Sequence, residues 1–158
     1  MSETEFLEEL RQNQGIILKL TGLYARDAEE KKDLYQEILL NAWKGWPSFR
    51  REAKFSTWLY RICLNTIFTQ KRKTGIVDYK DSLEEVAPQV QHSSMQQENS
   101  ESLQKAIRLL GETDRAVVSL HLDGFDNNEI AELLGISANH AAVKLHRCKQ
   151  QLSNLLTP

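Results

Sequence analysis

Apolar positions recur at helical steps along most of the chain, and one long stretch interrupts the recurrence. From about Glu3 to Tyr24, Phe6, Leu7, Leu10, Ile17, Leu18, Leu20 and Leu23 sit among charges, which predicts a first helix disturbed near Gly15. A second helix is expected from about Asp27 to Trp43, with Leu34, Ile38, Leu39 and Ala42 inward and Asp27, Glu29 and Glu30 complementing the positive end of its dipole. Gly45 and Pro47 punctuate a loop from Lys44 to Lys54. Ser56 then suits the N-cap of a third helix reaching about Lys73, with Phe55, Trp58, Leu59, Ile62 and Thr66 along one side. The spacing of Trp58 with Leu59 and Ile62 favours core packing over base stacking.

Residues 74–100 lose the periodicity and are rich in Gln, Ser and acids, the composition of a flexible linker. As a free coil such a segment has an end-to-end distance of roughly 25 to 30 Å. Periodicity returns near Glu101. Leu103, Ile107 and Leu110 predict one short helix, and Thr113 suits the N-cap of another that carries Ala116, Val117, Leu120 and Leu122 and ends at Gly124. No β-hairpin signal, internal repeat or glycine-rich phosphate loop is found. The expected fold is therefore all-α: two small helical domains, 1–73 and 101–158, joined by a flexible linker at 74–100.

The stretch from Asp126 to Leu152 is the most specific. Asp126 or Asn127 is a plausible N-cap, Ile130, Ala131, Leu133 and Leu134 form an apolar side, and Gly135 supplies a C′ residue able to take positive φ. Ser137 caps the next helix, in which Ala141, Leu145, Cys148 and Leu152 make one inward stripe. This is the pattern of a helix-turn-helix, with small Ala131 allowing a close crossing. The outer face of the second helix holds Asn139, His140, Val143, His146 and Arg147, flanked by Lys144 and Lys149, with no acid between Ser137 and Leu152. Such a face suits the major groove, where base edges need donors and phosphates need cations. A helical hairpin with a solvated basic face is the alternative from this stretch alone.

Charge sharpens the choice. The net charge is only -2, but residues 44–73 carry 8 basic residues against the single acid Glu52. Simple C-capping accounts for one or two of Lys71, Arg72 and Lys73, and hardly for Arg50, Arg51, Lys54 and Arg61 as well. Cys63 and Cys148 fall at helical positions without metal-ligand spacing, so reduced structural thiols and no metal or cofactor are expected. His92, His121, His140 and His146 form no nucleophile-base or HExxH pattern, which argues against an enzyme with catalytic residues. The opening MSETEFLEELRQ is acidic and has no long apolar run; neither signal peptide nor membrane insertion is expected, and a cytoplasmic location is.

Taken together, DLYQEILLNAW (Asp33 to Trp43), PSFRREAKFSTWLYRICLN (Pro47 to Asn65) and GETDRAVVSLHLDGFDNNEIAELLGISANHAAVKLHRCKQQL (Gly111 to Leu152) resemble the extracytoplasmic-function group of sigma-70 family sigma factors. The resemblance implies an N-terminal domain that binds the β′ clamp helices of core RNA polymerase and opens the minus-10 element. It implies a C-terminal domain that reads the minus-35 element beside the β flap, and an anti-sigma factor as partner. Carried over by position, Asp33, Gln36 and Glu37 would face polymerase. Phe49, Arg50, Arg51 and Lys54 would hold the flipped base and single strand of promoter DNA, Asn65 a base edge, and Arg61, Lys71, Arg72 and Lys73 phosphates. Asn139, His140, Val143, Lys144, His146 and Arg147 would meet the minus-35 element. The recognition helix departs from the family's usual T-V-K-S-R: it reads His140-Ala141-Ala142-Val143-Lys144, so Ala142 replaces a cation and Val143 a small polar residue. Asp78, Asp81, Glu84 and Glu85 give the linker an acidity that would mimic nucleic acid in the polymerase RNA channel.

Two function classes follow. A promoter-specificity subunit without catalysis is expected to bind DNA poorly alone; a stand-alone helix-turn-helix regulator would bind paired half-sites as a dimer. The basic loop and helix of 44–73 favour the first.

Overall fold

A computed structural model describes residues 2–73 and 95–156, with side chains for 2–73 and 101–156. The linker acids Asp78, Asp81, Glu84 and Glu85, and His92, lie outside the described residues. All regular structure among those described is helical. Helices α1 (Glu3–Gln12), α2 (Gln14–Tyr24), α3 (Ala28–Gly45) and α4 (Phe55–Lys73) form one compact unit; α5 (Met95–Arg108), α6 (Glu112–Leu122), α7 (Asn127–Leu134) and α8 (Ala138–Leu156) form another.

The first long helix is two. The break falls at Asn13, not Gly15: the Asn13 side-chain amide donates to the Glu9 carbonyl at 2.8 Å and its backbone N–H reaches Glu9 and Leu10. An Asn that bonds back to the preceding turn closes α1 there, and α2 restarts at once. Helix α3 starts as expected, with the Asp27 carboxylate accepting the Glu30 N–H at 2.8 Å. Its Leu34, Ile38 and Ala42 pack with Ile17, Leu20 and Leu23 of α2 and Leu59, Tyr60, Leu64 and Ile67 of α4 in the core. Leu39 is only half-buried.

A single 3₁₀ turn, Trp46–Ser48, turns the chain out of α3. The rings of Phe6, Trp46, Phe49, Phe55 and Trp58 cluster around it, with Trp58 5.0 Å from Phe49 and 5.3 Å from Phe55. Trp58 is thus a packing residue. Helix α4 begins at Phe55, one residue ahead of Ser56, and the Lys54 carbonyl accepts the Trp58 N–H. Burial of Phe55 in the aromatic cluster outweighs the capping preference of Ser56.

In the second unit, α5 begins at Met95, inside the stretch expected to be linker. Gly111 caps α6, which leaves Thr113 in the first turn, and Leu122 near its end is 56% exposed. Ala116, Val117, Leu120, Ile107 and Leu110 fill the core with Ile130 and Ala131 of α7 and Ala141, Leu145, Cys148 and Leu152 of α8. No helix among the described residues is long and apolar enough to cross a membrane.

Candidate functional site

Helix α3 buries Leu34, Ile38 and Ala42, so its opposite side is free to meet a partner. Asp33 and Gln36 are exposed on it and Glu37 is half-buried. Leu40 and Trp43 continue that side at 45% and 46% exposure. Sequence reasoning did not single out this apolar extension, although both residues fall off the Leu34–Ile38–Ala42 stripe. Asp33 and Glu37 also line a cleft of about 370 Å³ with Glu29, Glu30, Arg26 and Lys71.

Within that cleft Glu30 holds Lys71 at 2.6 Å and Arg26 at 2.8 Å. Burial pushes the Glu30 carboxyl upward, but the hydrogen bonds and charges of Lys71 and Arg26 outweigh it and hold the group below its ordinary value. Lys71 is therefore packed against α3, 11% exposed, with its ammonium turned to Glu30.

The remaining candidates on α4 share one exposed edge: Arg61, Asn65, Arg72 and Lys73, with Thr69 between them. Asn65 and Lys73 line a second cleft of about 370 Å³ together with Glu37, Asn41, Thr69 and Gln70. Glu37 thus touches both clefts, joining the α3 face to the α4 edge. Within the second cleft the Asn41 side-chain amide donates to Thr66 Oγ1 at 2.9 Å, tying α3 to α4. Asn41 escaped sequence reasoning because only the docking of α3 on α4 brings it beside Asn65, whereas Thr69, one turn after Asn65 on the same helix, follows from the helical period.

In the loop, Arg50, Arg51 and Lys54 are exposed. Arg51 takes a φ of 57°, rare for a side chain with a Cβ, and its guanidinium reaches the Glu5 carboxylate at 3.0 Å. Phe49 departs from expectation. It is 7% exposed, stacked on Trp46 at 5.6 Å, so its ring supports the loop from beneath and offers no face to a base.

The helix-turn-helix is built as its sequence demands. The Asp126 carboxylate accepts the Glu129 N–H while the Glu129 carboxylate accepts the Asp126 N–H, Gly135 closes α7 at φ 70°, and Ser137 Oγ accepts the His140 N–H at 3.0 Å. Asn139, His140, Val143, His146 and Arg147 are all exposed on α8. Lys144 is not. Its ammonium pairs with Asp114 of α6 at 3.1 Å, with side chains 9% and 7% exposed. Placing it on the DNA face is corrected by this partner, thirty positions away in sequence. Burial, and then the Asp114 charge, pushes the Cys148 thiol up to about 12; burial does the same to Cys63. Both are free and unreactive as thiolates.

Residues 10–75 match the family profile of Sigma-70 region 2 and residues 100–152 that of Sigma-70, region 4. The chain is 31% identical over 139 residues to the ECF RNA polymerase sigma factor SigM of Mycobacterium tuberculosis, covering 87% of this chain and 70% of that protein. It is 28% identical to the RNA polymerase sigma factor YlaC of Bacillus subtilis, over 99% of this chain and 95% of the relative. In fold it resembles the sigma factor RpoE of Bartonella quintana, solved with the anti-sigma factor NepR, at a TM-score of 0.67 and 22% identity over 98% of this chain and 95% of that one.

Proposed function

The chain belongs to the extracytoplasmic-function group of sigma-70 family sigma factors, and from that premise we propose how its surfaces divide the work of binding core RNA polymerase and directing transcription initiation. The first unit, 1–73, is the polymerase-binding and minus-10 module. Asp33, Gln36 and Glu37 meet the β′ clamp helices, and the observation that supports this best is their common exposed side on α3, extended by Leu40 and Trp43. A polar centre with an apolar end suits an interface that must form and release.

The loop cations Arg50, Arg51 and Lys54 hold the displaced single strand, and Arg61, Arg72 and Lys73 hold phosphates around Asn65, which bonds a base edge. Phe49 fixes the shape of the loop from inside, and Lys71 fixes α4 to α3. The second unit, α5 to α8, reads the minus-35 element through Asn139, His140, Val143, His146 and Arg147, with the β flap as its polymerase contact. Val143, 48% exposed, offers apolar contact to a thymine methyl. An anti-sigma factor that masks the α3 side is the expected regulator; the likeness to a sigma factor solved with NepR supports that class of partner.

Co-elution with bacterial core RNA polymerase tests the first assignment. The triple variant Asp33→Ala, Gln36→Ala, Glu37→Ala is expected to keep its helicity and lose co-elution, because the altered side chains lie outside the core. A triple variant that binds core as the wild type does removes the α3 assignment.

A further inference from the structure

We propose that the buried Lys144–Asp114 pair is the contact that fixes the rotation and register of the recognition helix α8, and so sets which bases its outer residues meet. The inference rests on the minus-35 reading of the second unit. Helix α8 lies on its neighbours through Ala141, Leu145, Cys148 and Leu152. Contacts among small apolar side chains are non-directional and tolerate sliding or a small rotation. A buried ion pair does not. Turning or shifting α8 enough to part Lys144 from Asp114 leaves two charges out of water without partners, which is strongly unfavourable.

The geometry makes Asp114 an effective reference point. It stands in the first turn of α6, where the helix dipole favours a carboxylate, and α6 is itself anchored by Ala116, Val117 and Leu120, all fully buried. Its carboxylate meets α8 at Lys144, one turn before the buried Cys148. A directional pair at one point of an already packed apolar stripe favours one rotation of the helix over its neighbours. His140, Val143, His146 and Arg147 all lie within four residues of Lys144, so a rotation there carries directly to the outer face. A polar pair that selects one arrangement among several apolar ones is the best-attested use of buried charge. Lys144 is on this account a positioning residue that touches no DNA.

The test separates selection from stability. Holoenzyme assembled from core RNA polymerase and the full chain transcribes a pool of promoter duplexes randomised at the minus-35 hexamer, and enrichment of preferred sequences is read from the transcripts. The apolar pair Asp114→Leu with Lys144→Met is expected to retain helicity and core binding while enrichment falls about tenfold, the equivalent of losing one base pair of readout. Lys144→Arg, which keeps the charge, is expected to hold enrichment near the wild type. An apolar pair that enriches like the wild type overturns the inference, as does one that unfolds α8, since the pair would then serve stability alone. Loss of enrichment in Lys144→Arg equal to that in the apolar pair overturns it too. Wild type without any enrichment would remove the minus-35 reading itself, and the inference with it.

Discussion

Glu30 joins Arg26 and Lys71 in one partly buried cluster, and its titration carries a prediction about stability. The two cations hold its folded carboxyl below the ordinary value of 4.5. A depressed carboxylate contributes stability that is full above the unfolded value and fades as pH falls through the folded one. Glu30→Gln is therefore expected to destabilise the first unit by roughly 1.5 to 3 kcal/mol at neutral pH, as for hydrogen bonds to charged groups. The gap between variant and wild type should close as pH drops below 4.5. Denaturant titrations across that range check it, and a gap independent of pH would assign the loss to packing. Lys71, Lys144 and Phe49 share a lesson. Each has the composition of a nucleic-acid contact, and each is claimed by a partner: Lys71 by Glu30 and Lys144 by Asp114, both distant in sequence, and Phe49 by the ring of Trp46 on the adjoining turn. Exposed candidates such as Asn65, His140 and Arg147 were legible because helical period alone assigns their side.

Element boundaries follow the same division. Where the local signal is a side chain bonding its own neighbourhood, as at Asp27 and Asp126, the sequence is enough. Where packing decides, as at Phe55 ahead of Ser56, or where Gly111 caps in place of Thr113, local preference loses. Two glycines show the contrast in energetic terms. Gly135 holds φ 70° at the turn of the helix-turn-helix with open space around it, so a methyl group there meets only backbone strain. Gly135→Ala is expected to destabilise α7 and α8 by about 1 to 2 kcal/mol, the cost of the left-handed conformation for a residue with a Cβ. Gly15 also has open space but lies in the first turn of α2, so Gly15→Ala should stabilise the first unit by about 0.5 kcal/mol, the lower end of the mid-helix range. Amide hydrogen exchange resolved by helix measures both in the full chain. Equal effects of the same sign at the two positions would contradict this account of the turn.

At the scale of the whole molecule, charge is sorted, and the sorting fits a subunit whose DNA contacts act together on polymerase. A net charge of -2 gives the free chain little general attraction for DNA, while 8 basic residues against one acid in 44–73 concentrate attraction on one segment. Two modest contacts presented on one enzyme gain affinity through effective concentration, without either being tight alone. Counting cations in the sequence overstates the phosphate contacts, because Lys71 is already neutralised by Glu30. Salt dependence tells the two kinds of cation apart. Each phosphate neutralised releases counterions and contributes a slope of about -0.9 in log K against log salt. For holoenzyme binding a promoter duplex, Arg72→Gln and Lys73→Gln are each expected to make that slope shallower by about 0.9. Lys71→Gln should weaken the first unit as Glu30→Gln does and leave the slope where it was, since a cation held in an ion pair displaces no counterion from DNA. A slope that responds to Lys71→Gln as it does to Lys73→Gln would mean that Lys71 leaves Glu30 for phosphate when the promoter binds.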